Sequence, residues 1–322
     1  MLATSAYDHL AYCASFCAYF VQGKEFVPPT PGQAGYDIYK AANFINTPIA
    51  ITGGKKEVNA AIFAETPTAQ VVAFRGTLPP NIHNCISFLD WLHDLEAEPA
   101  SFRGMPGEVH TGIFNAYQTL RGKLFPELTK MIQQSSSPKP LIFTGHSKGG
   151  PMATYATWDA HTHDIPAYRS TITFASPHPG NAEFANAFKA AGLHQTRYEG
   201  YLDVVPFFVP RKETAKFMVQ QIKTYLHSHP HLPTLEKDAL EIVEGMLGAA
   251  EIWDYQPVGT LQYITSTNQI MGNFDGLWMV RLLQIMTVLT QNPATGTGEI
   301  VAAHSIGCGG HYQKGVYPHV CS

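Results

Sequence analysis

Gly145-His146-Ser147-Lys148-Gly149 places a serine two residues from a glycine on either side. The apolar run 141–144 leads into it, and 151–158 follows with small and apolar residues at helical spacing. A strand turning straight into a helix would strain the backbone at Ser147, and Gly145 and Gly149 would let the two chain segments pass closely. The helix behind the serine would aim free N–H groups at developing negative charge. Ser147 is therefore the candidate nucleophile. In a chain with 27 Gly among 322 residues the five-residue pattern carries little by itself. The strand-turn-helix context gives it weight.

A serine hydroxyl attacks only when a histidine takes its proton, and that imidazole needs a carboxylate to orient it. With a nucleophile elbow the chain order is serine, acid, histidine. Asp203 ends the strand-like run 196–202 and precedes Val204-Val205-Pro206, which makes it the candidate acid. Asp164, Glu183, Glu199 and Glu213 fall in helices, loops or mid-strand and read as solvated charges. Two histidines near the C-terminus could be the base. His304 follows the apolar run 300–303, at an expected strand-to-loop junction, whereas His311 lies beyond Gly309-Gly310, which would position it less well. His304 is the preferred base and His311 the alternative. His227, His229 and His231 could suggest zinc, but no Cys is close and Glu236 belongs to the next helical stretch. They read as an exposed loop.

These residues need a scaffold. Strand-like runs at 70–74, 141–144, 170–175 and 196–202 alternate with helical stretches at 114–134, 151–161, 181–191, 212–227 and 235–247. The first of these helices should be kinked or interrupted at Pro126. Such alternation implies an α/β fold with a mostly parallel sheet, helices on both faces and chemistry at the carboxyl ends of the strands. The apolar stretch 276–290 is too short to span a bilayer and contains Arg281. With Arg281, Gln284 and Thr287 as a narrow polar stripe, it reads as a core helix, with a wall of a lipid-binding pocket as the alternative.

At 322 residues the chain could hold two average domains, yet no linker, repeat or low-complexity tract divides it, so 1–322 is expected to be a single domain. The hydrophobic content of 45% is ample for a large core. A formal charge of -4 without basic runs leaves no electrostatic footprint for nucleic acid. Residues 1–20 lack a positive n-region and carry Asp8, His9 and two Cys, so they read as an amphipathic helix rather than a signal peptide. Either an intracellular protein or a secreted one without its signal fits. Of five cysteines, Cys13 and Cys17 lie one helical turn apart as small core residues, while Cys308 and Cys321 flank a loop and could form a bridge in an oxidising compartment. Cys85 completes the set.

Further segments point the same way. Val71-Val72-Ala73-Phe74-Arg75-Gly76-Thr77, Asp90-Trp91-Leu92-His93-Asp94-Leu95, Val109-His110-Thr111-Gly112-Ile113-Phe114, Thr173-Phe174-Ala175-Ser176-Pro177 with Gly180-Asn181, and Asp203-Val204-Val205-Pro206 occur in this order around the elbow. Together, from about Val71 to Tyr312, they resemble the class-three lipases, the family that includes fungal triacylglycerol lipases. The resemblance implies an α/β-hydrolase fold, with Thr77 and the backbone N–H of Lys148 as oxyanion donors. It also implies a lid after the oxyanion strand, here 78–89, which mixes Leu78, Ile82, Ile86, Phe88 and Leu89 with Pro79-Pro80 and Asn81. Two features depart from the family. Lys148 stands where fungal members usually carry Leu, and the stretch 212–292 looks long and helix-rich, suited to a cap or an acyl pocket. The implied activity is carboxylic-ester hydrolysis, as a lipase at a lipid-water interface, without metal or organic cofactor. A phospholipase A, a short-chain or feruloyl esterase, and a catalytically silent binding module are the alternatives.

Overall fold

The computed structural model describes residues 4–77, 98–134, 139–163, 168–207 and 254–321 except 292, together with 165 and scattered positions between 216 and 231. The expected lid, the Asp90–Leu95 segment, Cys85 and the helical stretch 235–247 lie outside the described residues.

Helix α1 (Ala6–Cys17) opens with a reciprocal cap: Asp8 N–H donates to Ser5 Oγ at 3.2 Å, and Ser5 N–H donates to Asp8 Oδ2 at 2.7 Å. The helix expected within residues 1–20 is present, and most of it is buried. Leu10 to Ser15 and Cys17 are all buried, because the helix lies across one face of the sheet under further chain. A small hairpin of β1 (Val21–Gln22) and β2 (Glu25–Phe26) and the short helix α2 (Tyr36–Ala41) follow. Then come three antiparallel neighbours, β3 (Ile49–Gly53), β4 (Asn59–Glu65) and β5 (Gln70–Phe74).

Strands β6 (Pro99–Ser101) and β7 (Glu108–His110) lead to helix α3 (Thr111–Gln134), which runs on through Pro126 instead of stopping there. Strand β8 (Leu141–His146), helix α4 (Gly149–Thr162), β9 (Tyr168–Phe174), β10 (Gly180–Asn181), helix α5 (Ala182–Ala190) and β11 (Gln195–Gly200) then alternate. In the stretch expected to be helical, β12 (Tyr255–Gln256), β13 (Thr260–Ile264) and β14 (Ile270–Gly272) precede helix α6 (Leu277–Gln291). Helix α7 (Pro293–Ala303) and helix α8 (His311–Val316) complete the described chain.

The main sheet has eight strands in the order β14-β13-β11-β9-β8-β5-β4-β3. Its centre, β13-β11-β9-β8-β5, is parallel, and the antiparallel strands sit at its margins. Every residue of β5 and β8 is buried, as parallel strands covered on both faces require. Alternation sends Val71, Ala73 and Ile142 to the cluster beneath α1, with Tyr12, Cys13 and Phe174. Val72, Phe74 and Phe143 go to the opposite cluster, with Tyr117, Tyr155 and Phe184. Phe74 is level with Gly145, and His146 and Tyr198 are both level with Phe174. The carboxyl ends of β5, β8 and β11 therefore open along one edge.

Two charge readings change. Glu199 is buried and paired with both Arg197 and Arg281, and Arg281 also stacks over Tyr263, 5.1 Å from the ring centre. Its mid-strand position faces α6, so the carboxylate is not solvated as expected. On α6 the buried side holds Leu277, Arg281, Leu282 and Ile285, while Met279, Val280 and Leu283 are exposed. Arg281 turns inward because Glu199 supplies the opposite charge it needs when buried. The bridge Cys308–Cys321 is formed, with 5.9 Å between Cα atoms. Cys13 and Cys17 are buried free thiols.

Candidate active site

Ser147 sits between β8 and α4 with φ +57°, the left-handed region that only a tightly supported turn imposes on a serine. Its N–H donates to the Phe174 carbonyl at 2.9 Å, and its own carbonyl accepts from Gly150 N–H at 2.8 Å. The glycine spacing is steric. A Cβ on Gly145 would strike the Gly149 carbonyl, and one on Gly149 would strike the Phe74 carbonyl. The Ser147 hydroxyl itself makes no hydrogen bond among the described residues. Hydrogen bonds between catalytic groups in general are often long in a structure without substrate.

Asp203 follows the carboxyl end of β11 after a turn in which Leu202 takes φ +62°. It is fully buried, and His304 Nδ1 lies 3.0 Å from its Oδ1 and 3.1 Å from its Oδ2. A carboxylate can only accept, so Nδ1 carries the proton and Nε2 is left as the basic nitrogen. Burial by itself would raise the Asp203 carboxyl. The His304 ring, the Tyr312 hydroxyl and the Val205 N–H more than offset it and hold the group below its ordinary value. Asp203 therefore stays a carboxylate.

His304 is reached differently from the sequence expectation. It follows helix α7, not a strand, because a four-residue apolar run reads equally well as either. Ile285, Ile300, Ala303 and Leu202 pack together behind it and hold α6 and α7 against the turn that carries Asp203. His311 heads helix α8, where its Nδ1 lies 2.9 Å from Asn268 Oδ1 and its ring meets Tyr201. The structure joins His304, not His311, to Asp203 by hydrogen bonds.

Three residues that sequence reasoning passed over complete the surroundings. Tyr312 donates to Asp203 Oδ2 at 2.5 Å and accepts from Gly200 N–H at 2.9 Å. His146 and Tyr19 are hydrogen-bonded at 2.8 Å, and His146 reaches the His304 carbonyl at 2.8 Å. Tyr312 adjoins His311, and His146 adjoins Ser147, but only the fold shows which way each ring turns.

Thr77 lies three residues beyond β5, and its Oγ1 is buried without a hydrogen bond among the described residues. Lys148 immediately precedes α4, so its N–H stands at the start of a helix, where backbone donors are free. The Lys148 ammonium donates to Asn59 Oδ1 at 3.0 Å. Burial first, and then the Arg75 charge, lower it to about 8. Arg75 is itself buried and donates to the carbonyls of Val21 and Val58, both at 2.8 Å. Of the three histidines considered for zinc, His227 and His231 are exposed and His229 lies outside the described residues.

Comparison with known proteins bears on the family and the fold. Residues 71–213 match the family model for lipase (class 3). A relative named phospholipase A1-II 1, from Oryza sativa subsp. indica, is 30% identical over 158 residues, covering 42% of this chain. The match spans 38% of that relative, about two-fifths of its length. Among solved structures, Rhizomucor miehei triacylglyceride lipase aligns with a TM-score of 0.54 at 19% identity, covering 83% of each chain. A lipase from Rhizopus microsporus var. chinensis aligns with a TM-score of 0.52 at 16% identity, covering 81% of this chain and 76% of that one. At such identities the structural likeness speaks for the fold alone. Residues 71–213 are thus similar to the class 3 lipases, and the chain has an α/β-hydrolase fold.

Proposed function

We propose that this chain is a serine carboxylic-ester hydrolase, a lipase acting on acylglycerol esters, and that 1–322 forms one hydrolase domain. The observation that carries the reading is the His304–Asp203 hydrogen bond beside a serine at φ +57°. Ser147 attacks the ester carbonyl while His304 Nε2 takes its proton, and the buried Asp203 carboxylate stabilises the imidazolium that forms. The Thr77 hydroxyl and the Lys148 N–H donate to the tetrahedral oxyanion. His304 returns the proton to the leaving alcohol, and water then releases the acid from the acyl-enzyme.

Phospholipase A1 activity is the second reading, favoured by the name of the rice relative. Both readings share the same ester chemistry and differ in the headgroup. The test compares the parent with Ser147→Ala on p-nitrophenyl esters, emulsified triacylglycerol and phosphatidylcholine vesicles. The parent should hydrolyse esters and react with a fluorophosphonate, and the variant should do neither while remaining folded. The loss should be on the order of a million-fold in kcat. Appreciable turnover by Ser147→Ala would overturn the mechanism. Release of the sn-1 acyl chain from phosphatidylcholine in preference to triacylglycerol would favour the second reading.

A further inference from the structure

His146 stands directly before Ser147, with its ring buried on the α1 side of the sheet. Its Nε2 lies 2.8 Å from the His304 carbonyl oxygen, and its Nδ1 lies 2.8 Å from the Tyr19 hydroxyl. A carbonyl can only accept, so Nε2 carries the proton and Tyr19 donates to the Nδ1 lone pair. Both ring nitrogens are thereby satisfied by a neutral imidazole. Burial, then the His304 ring 4.7 Å away, lower the group to about 3. Tyr19 lies in the single turn Ala18–Phe20 that continues α1, and a Cβ on Gly76 would strike its hydroxyl. Gly76 directly precedes Thr77, so the Tyr19 hydroxyl touches the segment that carries the oxyanion donor.

We propose that His146 is a positioning residue, which sets the main-chain position of His304 relative to Ser147 and is itself held in one tautomer by Tyr19. The inference rests on the serine-hydrolase reading. Asp203 orients the His304 ring, but a correctly oriented ring can still stand too far from the hydroxyl. Proton transfer needs the two heavy atoms within about 3.2 Å. His146 closes that gap in the scaffold: one hydrogen bond ties the carbonyl of the base to the residue adjoining the nucleophile. Its neutrality matters as well. When His304 becomes an imidazolium, a second cation 4.7 Å away would oppose the charge that Asp203 stabilises.

The test uses the whole chain and four proteins: the parent, His146→Phe, His146→Gln and Tyr19→Phe. Steady-state kinetics on a soluble p-nitrophenyl ester, the rate of fluorophosphonate labelling and the thermal midpoint are measured for each. His146→Phe keeps a planar ring but loses both hydrogen bonds, and kcat should fall roughly a hundredfold with KM within about twofold. Tyr19→Phe should lose about tenfold in kcat, since it frees the tautomer but leaves the bond to His304 possible. Glutamine can donate to the His304 carbonyl and accept from Tyr19, so His146→Gln should recover roughly a tenth or more of the parent kcat.

Parent-like kcat in His146→Phe overturns the proposal, as does a loss that follows the fall in thermal midpoint and is not recovered by glutamine. Should His146→Phe fail to fold, Tyr19→Phe decides: full kcat there overturns the proposal, and a tenfold loss at unchanged KM supports it. A parent that does not react with fluorophosphonate removes the serine-hydrolase reading and this proposal with it. A parent that reacts, with His146→Phe reacting equally fast, removes the positioning role alone.

Discussion

The Tyr312 hydroxyl donates to Asp203 Oδ2 at 2.5 Å while accepting from Gly200 N–H at 2.9 Å, so one buried tyrosine ties the candidate acid to the strand that delivers it. A buried carboxylate needs such donors to remain charged without water. Tyr312→Phe should reduce kcat about tenfold with little change in KM, the size expected when one hydrogen bond to a charged group is lost. The thermal midpoint should also fall, since Gly200 N–H loses its acceptor. Unchanged kcat would mean that His304 and Val205 hold Asp203 without help from Tyr312.

Thr77 offers a buried hydroxyl with no hydrogen bond among the described residues, as an oxyanion donor should before substrate arrives. Thr77→Val keeps the shape and removes the donor. We expect kcat to drop roughly a hundredfold to a thousandfold at nearly constant KM. If KM rises while kcat holds, Thr77 contributes to ground-state binding instead.

Acid stability should depend on two buried histidines. Burial lowers His110 to about 3, and burial with the His304 ring lowers His146 to about 3. Unfolded histidine titrates near about 6.5, so between these values the unfolded chain binds more protons than the folded one. Stability is therefore full above about 6.5 and is lost as pH falls toward 3. Each histidine adds about 1.4 kcal/mol per pH unit to the slope. Neither ring nitrogen of His110 has a hydrogen bond among the described residues. His110→Phe should thus remove about one such increment from the slope, read by urea melts at several pH values. An unaltered slope would show that His110 protonates in the folded protein near its ordinary value.

Lys148 should cost stability at neutral pH. Its folded value of about 8 lies below the ordinary 10.5, so the charged form is disfavoured by folding up to pH 8 and the cost is relieved between 8 and 10.5. Lys148→Met should raise the thermal midpoint at pH 7, with the advantage shrinking as pH climbs through that window. A constant difference between the two proteins across the window would refute the linkage.

The bridge Cys308–Cys321 closes the segment that carries Tyr312. Loop-closure entropy for a loop of this length is roughly 3 kcal/mol. The double change Cys308→Ser and Cys321→Ser should lower stability by about that much. Ester hydrolysis at low temperature should persist, because Tyr312 is also held by its own buried contacts with Asp203 and Gly200. Loss of activity in a still-folded variant would show that the bridge, not the packing, sets Tyr312.

Local patterns in the chain determined the elbow and the parallel strands at 70–74 and 141–144, and they marked Ser147 and Asp203 as candidates. Each rests on interactions among near neighbours: the glycines that let β8 and α4 pass, the continuous apolar runs of doubly covered strands, and an acid just beyond a strand end. Only the tertiary structure decided which histidine meets Asp203, because they stand 101 positions apart and the chain between them must fold first, and the short apolar run before His304 suits a helix as well as a strand. It likewise turned Glu199 inward. A carboxylate mid-strand reads as solvated until Arg281, 82 residues away, is brought to it by α6. Tyr312, His146 and Tyr19 lay beyond local reading for the same reason. Their hydrogen bonds span 109, 158 and 127 residues, and side-chain direction at such separations is set by packing.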